Sequence, residues 1–197
     1  MNVTRLKIAT FLLALYPLIR LLIFAATDNL GANPIEFITR STGTWTLVGL
    51  MLTLTITPLR KITGWNSLLR IRRMLGLFSF FYASLHFITY IWLDQFFDFG
   101  AIIHDIYKRP FITVGFSAFI LLIPLAVTSS NAMIRRLGAK RWQQLHKLVY
   151  LIAVLGVLHY VWLVKKDLTQ PLIYAGILTL LLGWRLWHAR QAKCIQR

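Results

Sequence analysis

Residues 143–164 read QQLHKLVYLIAVLGVLHYVWLV, and from Leu148 to Val164 no charged side chain interrupts the run. A helix needs about 20 mostly apolar residues to cross the hydrocarbon of a bilayer. Flanked by Arg141 and Lys165, this stretch reads as a transmembrane helix. It also carries two histidines, His146 near its start and His159 near its end. An ionisable residue at membrane depth is costly, so its presence is by default a question about function.

Five further stretches meet the same criterion, at roughly 8–26, 42–59, 74–93, 110–127 and 170–187. The connections are short, none is rich in Ser or Pro, and no internal repeat or low-complexity tract is present. The fold class expected is all-α: a polytopic bundle of six transmembrane helices forming a single domain over residues 1–197. Composition agrees. The chain is 57% hydrophobic and only 14% charged, with a mean hydropathy of +0.64, outside the usual range of soluble domains. The basic N-terminus followed by an apolar run is signal-like, but Ile8 to Ala26 is long enough to span, so the first helix is expected to be retained.

Net charge is +16, and its distribution decides its meaning. All six acids (Asp28, Glu36, Asp94, Asp98, Asp105 and Asp167) fall between spans on one side, together with Arg40, Lys108, Arg109, Lys165 and Lys166. The opposite side holds Arg5, Lys7, Arg60, Lys61, Arg70, Arg72, Arg73, Arg135, Arg136, Lys140, Arg141, Arg190, Lys193 and Arg197. This is the positive-inside pattern, which places both termini in the cytoplasm and assigns the basic loops to topology and anionic lipid rather than nucleic acid. Trp45, Trp92, Trp142, Trp162, Trp184 and Trp187 lie near span ends, where amphipathic rings favour the interface. A single cysteine, Cys194, excludes an internal disulfide, a thiolate-held iron–sulfur cluster and covalent haem attachment. Any metal is therefore left to histidine or oxygen ligands.

His86 lies in the third span, which runs from Arg73 to Asp94, and His159 lies in the fifth, which runs in the same direction. At about 1.5 Å per residue, both imidazoles fall about 9–12 Å below the outer helix ends. Two neutral imidazoles at one depth on different helices can hold a haem iron between them while apolar side chains enclose the macrocycle. Gly156, one turn before His159, leaves space for a flat ring. Arg20, at a similar depth in the first span, is a candidate partner for a haem propionate; the alternative is an arginine snorkelling to the outer headgroups.

His146 is about 20 Å from His159 along the helix axis and rotated by about 140°, which suits a second cofactor site without a shared stripe. A second bis-histidine pair would want a histidine near position 72 or 73, and those positions hold Arg72 and Arg73. His146 then serves either an inner haem with an unusual partner or a hydrogen bond to a quinone or flavin, with the two arginines supplying positive charge. The plainer role for any of these histidines is a bond to a neighbouring helix. His104 and His188 are expected to be solvated. Zinc lacks a tetrahedral ligand set.

Tyr16-Pro17 with Arg20, Thr57-Pro58-Leu59-Arg60, Arg72-Arg73-Met74-Leu75-Gly76-Leu77, His86, Trp142 with Leu145-His146, and His159-Tyr160 occur in this order along nearly the whole chain. In this the chain resembles the ferric-reductase-like transmembrane family, and within it the haem-binding membrane subunits of bacterial periplasmic methionine sulfoxide reductase systems. The resemblance implies a multi-pass protein of the bacterial inner membrane. It implies haem b, with His86, His146 and His159 as candidate ligands, and flavin mononucleotide (FMN), for which no motif is visible in the sequence. It also implies electron transfer from the quinone pool or the cytoplasmic side to a periplasmic molybdopterin enzyme that repairs oxidised methionines. Ferric reductases of the wider family carry two histidines on each haem helix, whereas the third span here has one, so a second haem stays open.

No Gly-rich nucleotide-binding unit follows the sixth span, so electrons are expected through a partner such as a cytoplasmic flavin reductase, a quinone or a loosely held flavin. The chain reads as an electron-transfer subunit without a complete catalytic site of its own. Two other classes compete: a proton-coupled transporter with a histidine relay, against which no Asp or Glu falls inside an expected span, and a non-redox membrane anchor for a periplasmic enzyme.

Overall fold

A computed structural model describes residues 3–195, with side chains through Gln191; Lys193, Cys194 and Arg197 thus lie outside the described side chains. Among the described residues the secondary structure is helical throughout. The elements are α1 (Val3–Ala26), α2 (Pro34–Thr63), α3 (Leu69–Thr89), α4 (Phe99–Lys108), α5 (Pro110–Val127), α6 (Asn131–Leu137), α7 (Ala139–His146), α8 (Leu148–Leu163) and α9 (Thr169–Ile195). Among the described residues six spans are long and apolar enough to cross a membrane: α1, α2, the stretch Asn66–Asp94 containing α3, α5, Ala139–Leu163 containing α7 and α8, and α9. Short connections make successive spans antiparallel. The bundle therefore has an acid-bearing end and a basic end, and α1 starts where α9 finishes, at the basic end.

Local chemistry sets the boundaries. Asn33 caps α2 by accepting from the Glu36 N–H, Pro34 takes the first helical position, and Gly64, at φ 73°, closes the helix by donating to the Arg60 carbonyl. The second span therefore begins eight residues earlier than the apolar run suggested, and Glu36 falls within its first turn. The third span ends in a π-helical turn, Tyr90–Asp94, which re-aims the chain toward α4. Two of the connections between spans carry short helices of their own, α4 and α6. The fifth span is not one continuous helix either: α7 ends at His146 and α8 begins at Leu148, with Lys147 between them.

Many apolar side chains of α1, such as Leu13 and Leu22, face outward, as lipid-facing residues should. The packed centre comes chiefly from α2, α5 and α8, with Leu47, Leu50, Leu54, Leu122, Ile152 and Ala153 among its buried members. α2 and α3 cross closely, and a Cβ added to Gly49 would stand 2.5 Å from Ser79 Oγ. Small residues let backbones approach this closely. α1 is held differently. The Tyr82 hydroxyl donates to the Ala14 carbonyl at 2.7 Å and accepts the Leu18 N–H at 3.3 Å, inserting into the ladder of α1 beside Pro17.

Candidate functional site

Inside the acid-bearing half lies a cavity of about 350 Å³. Its walls come from α2, α3, α5 and α8, and α4 closes part of its mouth through Ile106. Two imidazoles line it: His86 of α3 and His159 of α8, with ring centres 6.2 Å apart and planes at 76°. Each is fixed by a backbone carbonyl of the helix it packs against. His86 Nδ1 lies 3.0 Å from the Thr39 carbonyl, and His159 Nδ1 lies 2.7 Å from the Phe111 carbonyl. A carbonyl only accepts, so Nδ1 carries the proton in both rings and Nε2 keeps its lone pair. Metal-ligating histidines are typically oriented in this way.

The spacing is informative. A nitrogen about 2 Å from a metal puts its ring centre about 3 Å away, so two imidazoles on opposite sides of one metal stand about 6 Å apart. Among the described residues no three His, Cys, Asp or Glu side chains gather as metal ligands. An imidazole pair with no third protein ligand suits a metal whose remaining positions are filled by a macrocycle. The surroundings fit a flat apolar group: Leu47, Leu50, Phe87, Phe116 and Phe119 line the cavity, as does Thr39, whose buried hydroxyl has no partner. Cationic Arg40 and Arg109 stand among the lining residues from the acid-bearing end.

Two glycines make room for the rings. A Cβ on Gly43 of α2 would lie 3.0 Å from His86 Cε1, and one on Gly115 of α5 would lie 2.7 Å from His159 Nδ1. Neither was singled out from the sequence, because each is defined by a neighbour on another helix. Gly156, which was, also lines the cavity, but its added Cβ would meet Leu47 Cδ1 at 3.2 Å.

Toward the basic end a second cavity, of about 200 Å³, is lined by Arg72, Arg73, Phe80, Trp142 and His146 among others, and shares Leu50 and Leu122 with the first. His146 stacks on Trp142 with ring centres 3.9 Å apart. Its hydrogen bonding is the reverse of the other pair. The Thr128 hydroxyl gives its proton to the Pro124 carbonyl at 2.6 Å and so accepts from His146 Nε2 at 3.1 Å. His146 therefore keeps Nδ1 as its acceptor.

The structure thus brings together His86 with His159, and His146 with Arg72 and Arg73. Arg20 joins neither group: it is exposed on α1, its guanidinium 5.1 Å from the Phe24 ring, and lines neither cavity. His104 is exposed, whereas His188, expected in solvent, is half-buried against Trp184 at 3.9 Å.

Residues 42–157 match the model of the ferric-reductase-like transmembrane component family. The chain is also similar over nearly its full length to proteins named as the haem-binding subunit MsrQ of a protein-methionine-sulfoxide reductase. The one from Herminiimonas arsenicoxydans is 58% identical over 98% of this chain and 89% of its own. The one from Ralstonia nicotianae is 58% identical over 92% and 84%, and that from Bordetella pertussis 52% over 95% and 93%.

Proposed function

Because the chain belongs to the ferric-reductase-like transmembrane family, among the MsrQ haem-binding subunits, we propose that it carries electrons across the bacterial inner membrane to a periplasmic methionine sulfoxide reductase through a haem held by His86 and His159. The observation that carries this reading is the imidazole pair, 6.2 Å apart, each with Nδ1 tied to a carbonyl and Nε2 free. When bound, a b-type haem supplies an iron that takes up and releases one electron.

The protein supplies the rest. His86 and His159 hold the metal from two helices, and their carbonyl partners fix ring orientation and raise ligand basicity. Leu47, Phe87 and Phe119 exclude water and set a low dielectric around the group. Arg40 and Arg109 are the partners for its carboxylates, with the basic end of the bundle in the cytoplasm and the acid-bearing end in the periplasm.

The second cavity is the entry point. His146 offers an acceptor nitrogen, Trp142 and Phe80 offer aromatic faces, and Arg72 and Arg73 attract negative charge. This chemistry suits a quinol or the FMN of a flavin-dependent donor system better than a second iron. The docking partner at the other end is a molybdenum-containing reductase that restores oxidised methionines in periplasmic proteins.

The test is haem stoichiometry with redox titration on wild type and single-histidine variants. His86→Ala and His159→Ala should each abolish the low-spin haem signal, while His146→Ala keeps it. Normal haem content in both of the first two would overturn the ligand pair.

A further inference from the structure

Asp105 is one of the six acids that fall between spans, but its side chain is only 11% exposed. Both carboxylate oxygens are engaged. Oδ1 accepts from Arg109 Nε at 3.1 Å, and Oδ2 accepts from the Tyr90 hydroxyl and from Gln95 Nε2, each at 3.3 Å. Three elements therefore meet on one residue: α4, the π-helical turn after α3, and the start of α5. The turn that delivers α4 to this place is itself constrained, with Phe96 at φ 48° and Phe97 at φ 61°, values that non-glycine residues rarely adopt.

Burying a carboxylate is costly unless donors surround it, and two of the three donors here, Tyr90 and Arg109, line the haem cavity, while Gln95 and Asp105 do not. Arg109 meets Asp105 through Nε, and among the described residues no hydrogen bond is seen to its two Nη groups. Its side chain is otherwise 56% exposed, and a long exposed side chain is not fixed in one geometry without a tether. The other arginine lining the cavity, Arg40, pairs with Glu36, and both side chains of that pair are exposed.

We propose that Asp105 is a positioning residue that holds Arg109 at the cavity mouth with its Nη edge free for the carboxylates of a bound haem. This rests on the haem reading above. Planar, two-donor recognition of a carboxylate needs an oriented guanidinium, and a carboxylate locked behind it supplies the orientation. Asp105 thus acts on the cofactor through Arg109 without touching it.

The experiment uses the full-length protein in detergent, loaded either with haem b or with its dimethyl ester, which lacks free carboxylates, and follows haem loss to excess apomyoglobin. With haem b, Asp105→Asn and Arg109→Gln should each shed haem about tenfold faster than wild type, and the double variant no faster than either single one. With the ester, all four proteins should lose haem at one rate. The assignment is overturned if Asp105→Asn matches wild type with haem b, if the two effects multiply, or if Asp105→Asn is equally accelerated with the ester, which marks a purely structural role. Should Asp105→Asn not accumulate, Arg109→Gln decides: retention like wild type with haem b removes the proposal. Wild type that takes up no haem, or His86→Ala and His159→Ala that retain it, would instead sink the haem reading and this assignment with it.

Discussion

Arg185 donates from Nη2 to the Leu54 carbonyl at 2.6 Å, and that carbonyl sits four residues before Pro58, which has no N–H to give it. Leu54 is fully buried, and the bilayer offers no water to take over. A charged residue of the last span thus repairs the ladder of the second, while its Nη1 bonds the Tyr150 hydroxyl at 2.9 Å. Arg185→Leu should destabilise the bundle by about 1–3 kcal/mol in reversible unfolding from mixed micelles. In a Pro58→Ala background, where the carbonyl regains a helical donor, the same substitution should cost measurably less. Strict additivity would show that the two residues are not coupled.

The glycines beside the imidazoles give a ranked series. At position 115 an added methyl would stand 2.7 Å from His159 Nδ1, and the ring is pinned on that edge by the Phe111 carbonyl, so it must leave its place. Gly115→Ala should lose most bound haem. Gly43→Ala, at 3.0 Å from His86 Cε1, should lose part of it. Gly156→Ala meets only the far end of Leu47 and should stay near wild type. The reduced α-band per mole of protein reads the order, and equal haem in all three would remove the steric argument.

These glycines also mark where reading the sequence stops. Hydropathy shows the six spans, since membrane thickness constrains each one separately, and depth counting puts His86 and His159 at one level because a helix has a fixed rise. Gly43 and Gly115 acquire meaning only from the helix opposite, and no periodicity within α2 or α5 distinguishes them from Gly49, which serves a serine. In the sequence Asp105 is one more acid between spans, because its burial depends on how the turn at Gln95–Asp98 sets α4. Arg20 was weighed by depth alone, and depth says nothing about which way a residue points around its helix.

Tyr82 offers a test of how α1 is attached. Its hydroxyl bridges the Ala14 carbonyl and the Leu18 N–H, so the first span is fastened to the third by an inserted side chain rather than by a deep apolar face. Tyr82→Phe should cost about 1 kcal/mol and increase hydrogen exchange around Leu18. Unchanged exchange there would mean that the ladder of α1 closes without the hydroxyl at no loss.

The basic-end cavity can report which donor it serves. It lies against the cavity of His86 and His159 across Leu50 and Leu122, and Phe80 on its wall stacks on Phe119 of the other at 6.0 Å with planes 7° apart. His146→Ala should therefore leave the haem spectrum intact and slow its reduction by about tenfold, equivalent to losing about 1.4 kcal/mol of donor interaction. The arginines separate the two candidates by charge. A quinol is neutral, so Arg72→Gln and Arg73→Gln should change its rate little and without dependence on ionic strength. Reduced FMN carries a phosphate, so the same substitutions should slow its reaction and flatten its salt dependence. Stopped-flow reduction with menadiol and with reduced FMN, at low and high salt, gives four rates per variant. Salt-independent rates with both donors in wild type would mean that Arg72 and Arg73 guide neither, and would leave His146 as the cavity's remaining polar contact for the donor.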